Sequence, residues 1–203
     1  SGQNANYRSY CQDIADYFLP RKAWINTIRM KGDRIKFNFL YDSTAIGAVR
    51  DTAAGMQTYH TNPASRWMAM QYRKTQFRER QDVKIFCRAV EDWAFEKLHD
   101  SGFYNTDLEW KTDLVTFGTG TYGMFSDPKT FVRFNELPVG QVNRVLDANG
   151  RLIGLYYNFK LTALQASKMF GASAGDSVAK SLEKKPFDEF DFVHYAGERH
   201  VFD

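Results

Sequence analysis

Residues 142–171 read VNRVLDANGRLIGLYYNFKLTALQASKMFG and set the fold class of this chain. Two runs of β-branched, aliphatic and aromatic side chains flank Asp147-Ala148-Asn149-Gly150. Because Asn-Gly supplies the positive φ angles of a tight turn, the two runs are predicted to pair as an antiparallel hairpin. Thr162 then offers a hydroxyl to the free N–H groups of a new helix, and Gly171 ends this helix after Phe170.

Helical patterns fill most of the first half of the chain. Apolar side chains recur at helical spacing in three sets: Tyr7, Tyr10, Cys11, Ile14, Tyr17 and Phe18; Ile46, Val49, Ala53 and Met56; and Val83, Phe86, Cys87, Val90, Ala94 and Leu98. Pro20 ends the first helix, Ser43 can cap the second, and Gly102 stops the third, which is predicted over about 80–100. Asn62-Pro63 predicts one more helix start, with Trp67 inside its first turns.

Strand patterns dominate from Thr119 to Phe159, after a further helix predicted over about 106–117. Short helices are predicted to follow over about 162–170 and about 176–184. Two sets of alternating residues add short strands: Ile35, Phe37 and Phe39, and Phe190, Phe192 and His194.

The order of these elements predicts the α+β class, with N-terminal helices packed on an antiparallel sheet. We expect a single domain over residues 1–203. Its helical part is expected over 1–117, and its strands with short helices over 118–203.

The composition is that of an ordinary globular protein. Hydrophobic residues make up 43% of the 203 residues and charged residues 25%, which excludes a disordered chain. The aromatic share of 16% suits a core or an interface built from large rings. The net charge of +3 is too small for a dedicated nucleic-acid binder. No apolar run could span a membrane and no signal peptide is visible, so we expect folding in the cytoplasm.

Neither cysteines nor histidines predict a reactive site. Cys11 and Cys87 lie on apolar helix stripes, where two buried reduced thiols are expected instead of a disulfide or a metal site. The histidines are His60, His99, His194 and His200, and their spacing matches no metal motif. Because no nucleophile–base or acid–base pair stands out, we predict no catalytic residue, no metal and no cofactor.

Residues 118–123, Gly-Thr-Gly-Thr-Tyr-Gly, match the GxGxxG pattern. A dinucleotide site needs a strand before these glycines and a helix after them, since the helix N-terminus holds the pyrophosphate. Here a helix pattern precedes them and a strand pattern follows. We interpret Gly118 and Gly120 as parts of a helix-to-strand crossover with close backbone approach, and a nucleotide-dependent enzyme is an alternative.

A basic and aromatic stretch lies over residues 66–80. Its cations are Arg66, Arg73, Lys74, Arg78 and Arg80, and its aromatic residues are Trp67, Tyr72 and Phe77. Such a mixture can bind phosphate backbones or an acidic partner, so a nucleic-acid binding module is the alternative function. We favour a solvated helix face whose long side chains cover the rings.

Several short motifs occur in the order of a known family. They are Ser43-Thr44-Ala45, Ala53-Ala54-Gly55-Met56, Thr61-Asn62-Pro63 with Trp67, Ser101-Gly102-Phe103-Tyr104, Phe117-Gly118-Thr119-Gly120, Pro138-Val139-Gly140, the hairpin at Gly150, and Thr162 with Gln165 before Phe170-Gly171. No single motif is specific, but their order resembles the head-to-tail connecting (portal) proteins of short-tailed bacteriophages. The family-like structural residues are Pro63, Trp67, Gly118, Gly120, Gly150, Thr162, Gln165 and Gly171.

The resemblance implies a structural, non-enzymatic subunit of the virion. Portal proteins of this family form a ring of twelve subunits at one capsid vertex, which serves DNA packaging, tail attachment and genome ejection. The implied partners are further copies of the chain, the major capsid and scaffolding proteins, the packaging terminase, tail adaptor proteins and double-stranded DNA, without a membrane. Because the family's chains are longer, we expect these 203 residues to correspond to the N-terminal wing region, without stem and clip. Residues 66–80 could then face a neighbouring subunit.

Overall fold

The computed structural model describes residues 2–26 and 42–198, and the chain divides into two compact units, Ser1–Gly140 and Gln141–Asp203. The strand predicted from Ile35, Phe37 and Phe39 lies outside the described residues. Helices pack against antiparallel strands in each unit, which confirms the α+β class.

The first unit combines helices with a two-stranded hairpin. Its elements are α1 (Gly2–Phe18), a 3-10 turn (Pro20–Lys22), α2 (Thr44–His60), α3 (Thr75–Arg78), α4 (Gln81–Asp100), α5 (Phe103–Phe117), β1 (Tyr122–Asp127) and β2 (Phe131–Glu136). Helix α5 contacts α1, α2, α4 and β2. It therefore organises the unit.

The predicted apolar stripe of α1 is only partly buried. Cys11 and Ala15 form a core cluster with Ile25, and Phe117 of α5 packs against it. Tyr10, Tyr17 and Phe18 belong to the same predicted stripe but are exposed. The reason is that the face in contact with α5 is narrow and is centred on the small side chains of Cys11 and Ala15.

Helices α2 and α4 confirm the predicted ranges, with differences in detail. Val49 and Ala53 of α2 are buried as expected, but Ser43 makes no capping hydrogen bond. In α4, Phe86 is exposed and Cys87 is only half-buried, so the expectation of two buried thiols holds for Cys11 alone. Neither cysteine takes part in a disulfide. No residue of α4 is fully buried, so its apolar stripe is not enclosed.

The helix predicted from Asn62-Pro63 is wrong. Residues 61–74 form turns and irregular structure. The Asn62 side chain accepts from the N–H of Ala64 (2.8 Å), and the N–H of Ser65 donates to the Asn62 carbonyl (3.2 Å). The same Asn-Pro signal that starts helices thus closes a tight turn here.

The second unit is a three-stranded antiparallel sheet with two helices. Its elements are β3 (Val142–Leu146), β4 (Leu152–Thr162), α6 (Ala163–Phe170), α7 (Asp176–Lys184) and β5 (Glu189–Gly197), and the strand order is β3-β4-β5. The small core comprises Ala163, Ala166 and Val178, against which Phe190 and Phe192 of β5 pack. These elements match the predicted hairpin, helices and alternating strand closely.

The hairpin turn and the helix cap form largely as the sequence indicates. Gly150 has a positive φ of 77°, whereas Asn149 does not, so only one of the two expected left-handed positions exists. The Asp147 side chain instead accepts from the N–H groups of Asn149 and Arg151. Thr162 and Gln165 form a reciprocal capping box, and Gly171 follows α6 with a φ of 55°.

No helix in the described ranges combines the length and apolar character that crossing a bilayer requires.

Candidate functional site

An open aromatic groove of about 600 Å³ lies between α4, α5 and the β1–β2 hairpin. Trp93 of α4, Met124 of β1 and Phe131 of β2 line it and remain 47%, 68% and 65% exposed. Large apolar side chains that a fold leaves in water on one continuous surface commonly mark a contact with another molecule.

Backbone strain holds one wall of this groove. Phe131 has a φ of 71°, and it is the one non-glycine residue with positive φ in the part of the chain that the structure describes. This conformation places its ring edge-on to Trp93, with centroids 5.4 Å apart. Since the ring stays exposed, burial within this unit does not compensate the strain. Strain kept at an exposed position indicates a functional constraint.

Trp67 packs at the other end of the groove although it lies outside any helix. Its ring stacks on Phe103 at 6.0 Å and meets Phe95 edge-on at 5.8 Å. Its indole N–H donates to the Tyr104 hydroxyl at 3.3 Å. The predicted motif residue is thus a half-buried wall residue between α4 and α5.

Buried charges below the groove tie α2 to α5. Lys111 and Asp107, four residues apart on α5, form an ion pair that is almost fully enclosed. The Lys111 ammonium also donates to the Thr61 hydroxyl at the end of α2. Gln57 of α2 donates to the Tyr104 carbonyl at 2.7 Å. The Asp107/Lys111 spacing is visible in the sequence, but burial of the pair is not.

A second ionic cluster joins the 3-10 turn to α5 and β2. Lys22 donates to Asp113 at 2.7 Å and to Glu136, and its ammonium lies 3.1 Å from Glu109. The Nη2 atom of Arg21 donates to both carboxylate oxygens of Glu109, at 2.9 and 2.8 Å. We call these five residues the Lys22 cluster. Sequence analysis missed it because Lys22 and Asp113 are 91 residues apart.

Asp113 is the most perturbed acid of the Lys22 cluster. Its side chain is 0% exposed, and its Oδ2 atom accepts no hydrogen bond from the described residues. Burial and a hydrogen bond with Glu136 raise its pKa to about 7, although Lys22 opposes the rise. Burial lowers the pKa of Lys22, but Asp113 and Glu136 more than offset this and raise it above its usual value. Asp113 is therefore partly protonated near neutral pH.

The GxGxxG residues form the crossover that the sequence indicates. Gly118, with a φ of 70°, ends α5, and β1 begins at Tyr122. A Cβ atom on Gly120 would lie 2.7 Å from both the Cδ1 atom and the carbonyl oxygen of Trp110. Close approach of two backbones thus explains Gly120, and the element order lacks the helix that would hold a pyrophosphate.

The five predicted cations of residues 66–80 fall into two groups. Arg66 pairs with Asp92 and Glu91, and Arg80 pairs with Asp82. Arg73, Lys74 and Arg78 are exposed and have no ion pair among the described residues. The stretch is mostly exposed, as expected of a solvated surface, but it is mostly irregular with only α3 helical, so its assignment to a helix was wrong.

Within residues 2–26 and 42–198, no three His, Cys, Asp or Glu side chains are grouped so that they could hold a metal ion. His200 lies outside these residues. In the Lys22 cluster, an ammonium occupies the position between the carboxylates.

Comparison with known proteins identifies the class as a structural component of phage particles. A family model described as bacteriophage head to tail connecting protein matches residues 1–203. The chain belongs to this family. It is 26% identical over 181 residues to the probable portal protein of Bordetella phage BPP-1. This match covers 89% of the chain and 32% of the relative, so the chain spans about a third of the relative's length.

Proposed function

We propose that the chain is part of a portal subunit, in the connector ring at one vertex of a phage capsid. The ring serves packaging of the genome, attachment of the tail and ejection of the genome. The observation that carries this proposal is the family match over all 203 residues. The printed name of the Bordetella phage relative supports it. The role is structural and needs no catalytic residue or cofactor.

Assembly into a ring requires two different patches on each subunit. Identical subunits that contact head to tail bury unlike surfaces, and a ring results when the rotation closes. The aromatic groove supplies one suitable patch, because Trp93, Met124 and Phe131 would leave water on contact with a neighbour. Twelve copies are proposed, as in the family that the sequence resembles.

The 203 residues are proposed as a wing region that lies outside the DNA channel of the ring. The major capsid and scaffolding proteins, the packaging terminase and tail adaptor proteins would contact the complete ring, with double-stranded DNA passing through it. Its place would be the capsid vertex, with assembly in the host cytoplasm.

Native mass spectrometry and electron-microscopic projection images of the intact protein that contains this chain test the proposal. We expect a closed ring with a mass of twelve subunits and rotational symmetry in projection. A stable monomer, under conditions in which phage particles assemble, would contradict it.

A further inference from the structure

The basic residues of the first unit are concentrated in one segment. Between Arg66 and Asp92 the chain carries seven basic and four acidic residues, a net charge of +3. This equals the formal net charge of all 203 residues, so the remainder of the chain is neutral overall at pH 7. Residues 66–92 therefore carry a local excess of positive charge.

Ion pairs within the segment consume all four acids. The pairs are Glu79 with Lys84, Asp82 with Arg80, and Glu91 and Asp92 with Arg66. Four cations are left without an ion pair among the described residues: Arg73, Lys74, Arg78 and Arg88. All four are exposed. No described carboxylate lies within ion-pair distance of them, although Arg78 interacts electrostatically with Glu79. An external anion can therefore bind these cations without breaking an existing ion pair.

Three of these cations, Arg73, Arg78 and Arg88, line two clefts beside one aromatic side chain, together with the paired acids Glu79, Asp82 and Glu91. Two adjacent clefts of about 400 and about 460 Å³ are both lined by Tyr72. Arg78 and Arg88 line the first cleft, and Arg73 lines the second. The Tyr72 ring is 46% exposed and is held edge-on by Phe77, with centroids 5.9 Å apart. Packing against Phe77 restrains the ring, while nearly half of its surface stays accessible.

We infer that this surface, the Tyr72 cleft (Tyr72, Arg73, Lys74, Arg78 and Arg88), binds the phosphate backbone of a nucleic acid without reading its base sequence. Guanidinium and ammonium groups contact phosphates and release counterions, which gives affinity without specificity. An exposed tyrosine adds a stacking surface for an unpaired base, and every base has such a face. The inference does not require assembly of the subunits into a ring. It can therefore fail while the proposed function stands, and it can hold if the proposed function fails.

The test measures binding of a fluorescent duplex of about 30 base pairs to the chain by anisotropy, at salt concentrations from about 50 to about 200 mM. The variant carries Arg73→Gln, Lys74→Gln and Arg78→Gln, all exposed changes. If each cation contacts one phosphate, the slope of log affinity against log salt becomes less negative by about 2.7. Affinity at the lowest salt falls accordingly.

A matched control removes the same charge from the second unit. Lys180→Gln, Lys184→Gln and Lys185→Gln change three exposed lysines that form no ion pair among the described residues. This control variant is expected to keep the wild-type salt slope. Equal losses in both variants would show a net-charge effect and overturn the inference. An unchanged slope in the Tyr72 cleft variant would overturn it as well. If this variant also lost assembly, the surface would be assigned to a protein contact instead.

A single strand of the same sequence distinguishes binding of duplex DNA from binding of single-stranded DNA. Tyr72→Ala is expected to weaken single-strand binding by about 5-fold or more, because base stacking is lost, and to leave duplex binding unchanged. If the duplex and the single strand both bind with no measurable affinity, the inference is wrong.

Discussion

Asp113 shows how one buried residue couples this fold to pH. The Lys22 cluster contains two cations, Lys22 and Arg21, and three carboxylates, and Arg21 is taken up by Glu109. Lys22 alone faces both Asp113 and Glu136, so one negative charge is left over unless a proton is bound. This charge count agrees with the rise of the Asp113 pKa to about 7. The Lys22 ammonium joins the 3-10 turn to α5 and β2, and a proton on Asp113 removes the surplus negative charge beside it.

The raised pKa predicts that stability falls as pH rises. Since the folded state holds a proton on Asp113 up to about pH 7, and the unfolded state releases it near pH 4, folding takes up a proton between these values. The free energy of unfolding should drop by on the order of a few kcal/mol across this window. Asp113→Asn keeps an acceptor for Lys22 and a donor for Glu136, and should flatten the drop. Urea unfolding followed by circular dichroism at about pH 5 and about pH 8 measures it.

Two other groups of the Lys22 cluster do not produce this slope. The stability from the raised pKa of Lys22 is present at all pH values below its usual 10.5 and is lost only above it. Burial raises the pKa of Glu109, but Arg21 and Lys22 more than offset this and hold the pKa below its usual 4.5. The stability that Glu109 contributes is therefore present at neutral pH and is lost only when the pH falls below about 4.5. Glu109→Gln is thus the control, and it should keep the wild-type drop. A drop of equal size in the Asp113→Asn variant would refute the assignment.

Gly120 is a second residue whose role depends on a distant neighbour. Gly120→Ala places a methyl group 2.7 Å from the Trp110 backbone and ring, and we expect a loss of about 1–3 kcal/mol in the free energy of unfolding. Gly47→Ala is the matched control, since Gly47 lies in α2 with open space around it. That change should stabilise by about 0.5–1 kcal/mol, because alanine favours helix. Saturable dinucleotide binding that Gly120→Ala abolishes would contradict a purely structural role.

At the scale of elements, two of the three helix N-termini that sequence analysis singled out form, and these two are capped differently. The Thr162 hydroxyl accepts from the Gln165 N–H at 3.3 Å, and Gln165 reaches back to the Thr162 N–H at 3.0 Å. Ser43 occupies the corresponding position of α2 but makes no such bond. There the Asp42 carboxylate accepts from the N–H of Thr44 at 2.9 Å. At Ser43 and Thr162 the capping signal thus marks a helix start, but only at Thr162 does the signal residue make the capping hydrogen bond.

This difference gives a matched pair of substitutions. Thr162→Ala should lower the free energy of unfolding by about 1 kcal/mol, because the backbone N–H of Gln165 loses its acceptor. Ser43→Ala should change it by less than about 0.5 kcal/mol, since no capping bond is lost. Thermal unfolding of both variants decides between them. Equal destabilisation by the two substitutions would show that the capping box of α6 contributes no more stability than Ser43, which makes no capping bond.

At the scale of the whole molecule, the exposed aromatic groove is the feature that the fold alone does not explain. Phe131 keeps a strained backbone and an exposed ring, which costs stability in an isolated chain. Burial of this ring in a subunit contact would compensate the cost. The groove therefore connects the local geometry of one residue with the proposed ring.

Phe131→Gly separates stability from assembly. Glycine accepts a positive φ without strain, so the free energy of unfolding should change by less than about 1 kcal/mol. Loss of the Phe131 phenyl group should weaken the assembly of subunits of the intact protein into a ring. Native mass spectrometry over a concentration series measures this assembly. Tyr59→Ala is the control, because Tyr59 is 89% exposed and does not line the groove. A Phe131→Gly protein that assembles like the wild type would remove the groove from the subunit contact.

The sequence by itself determined the elements whose signals lie within a few residues of one another. The turn at Gly150, the capping box at Thr162 and the end of α4 before Gly102 each depend on local backbone chemistry. The family resemblance has the same origin, because it depends on the order of such local motifs. These features needed no knowledge of packing.

Only the tertiary structure decided which side chains meet. The Lys22–Asp113 ion pair joins residues 91 positions apart, and the burial that raises the Asp113 pKa comes from packing against β2 and the 3-10 turn. Tyr10 is exposed because none of the described elements covers it. Arg66 forms an ion pair with Asp92, whereas Arg73 forms none among the described residues. The physical reason is that local hydrogen bonds are encoded by neighbours in sequence, whereas burial and charge pairing depend on residues that only the folded chain brings together.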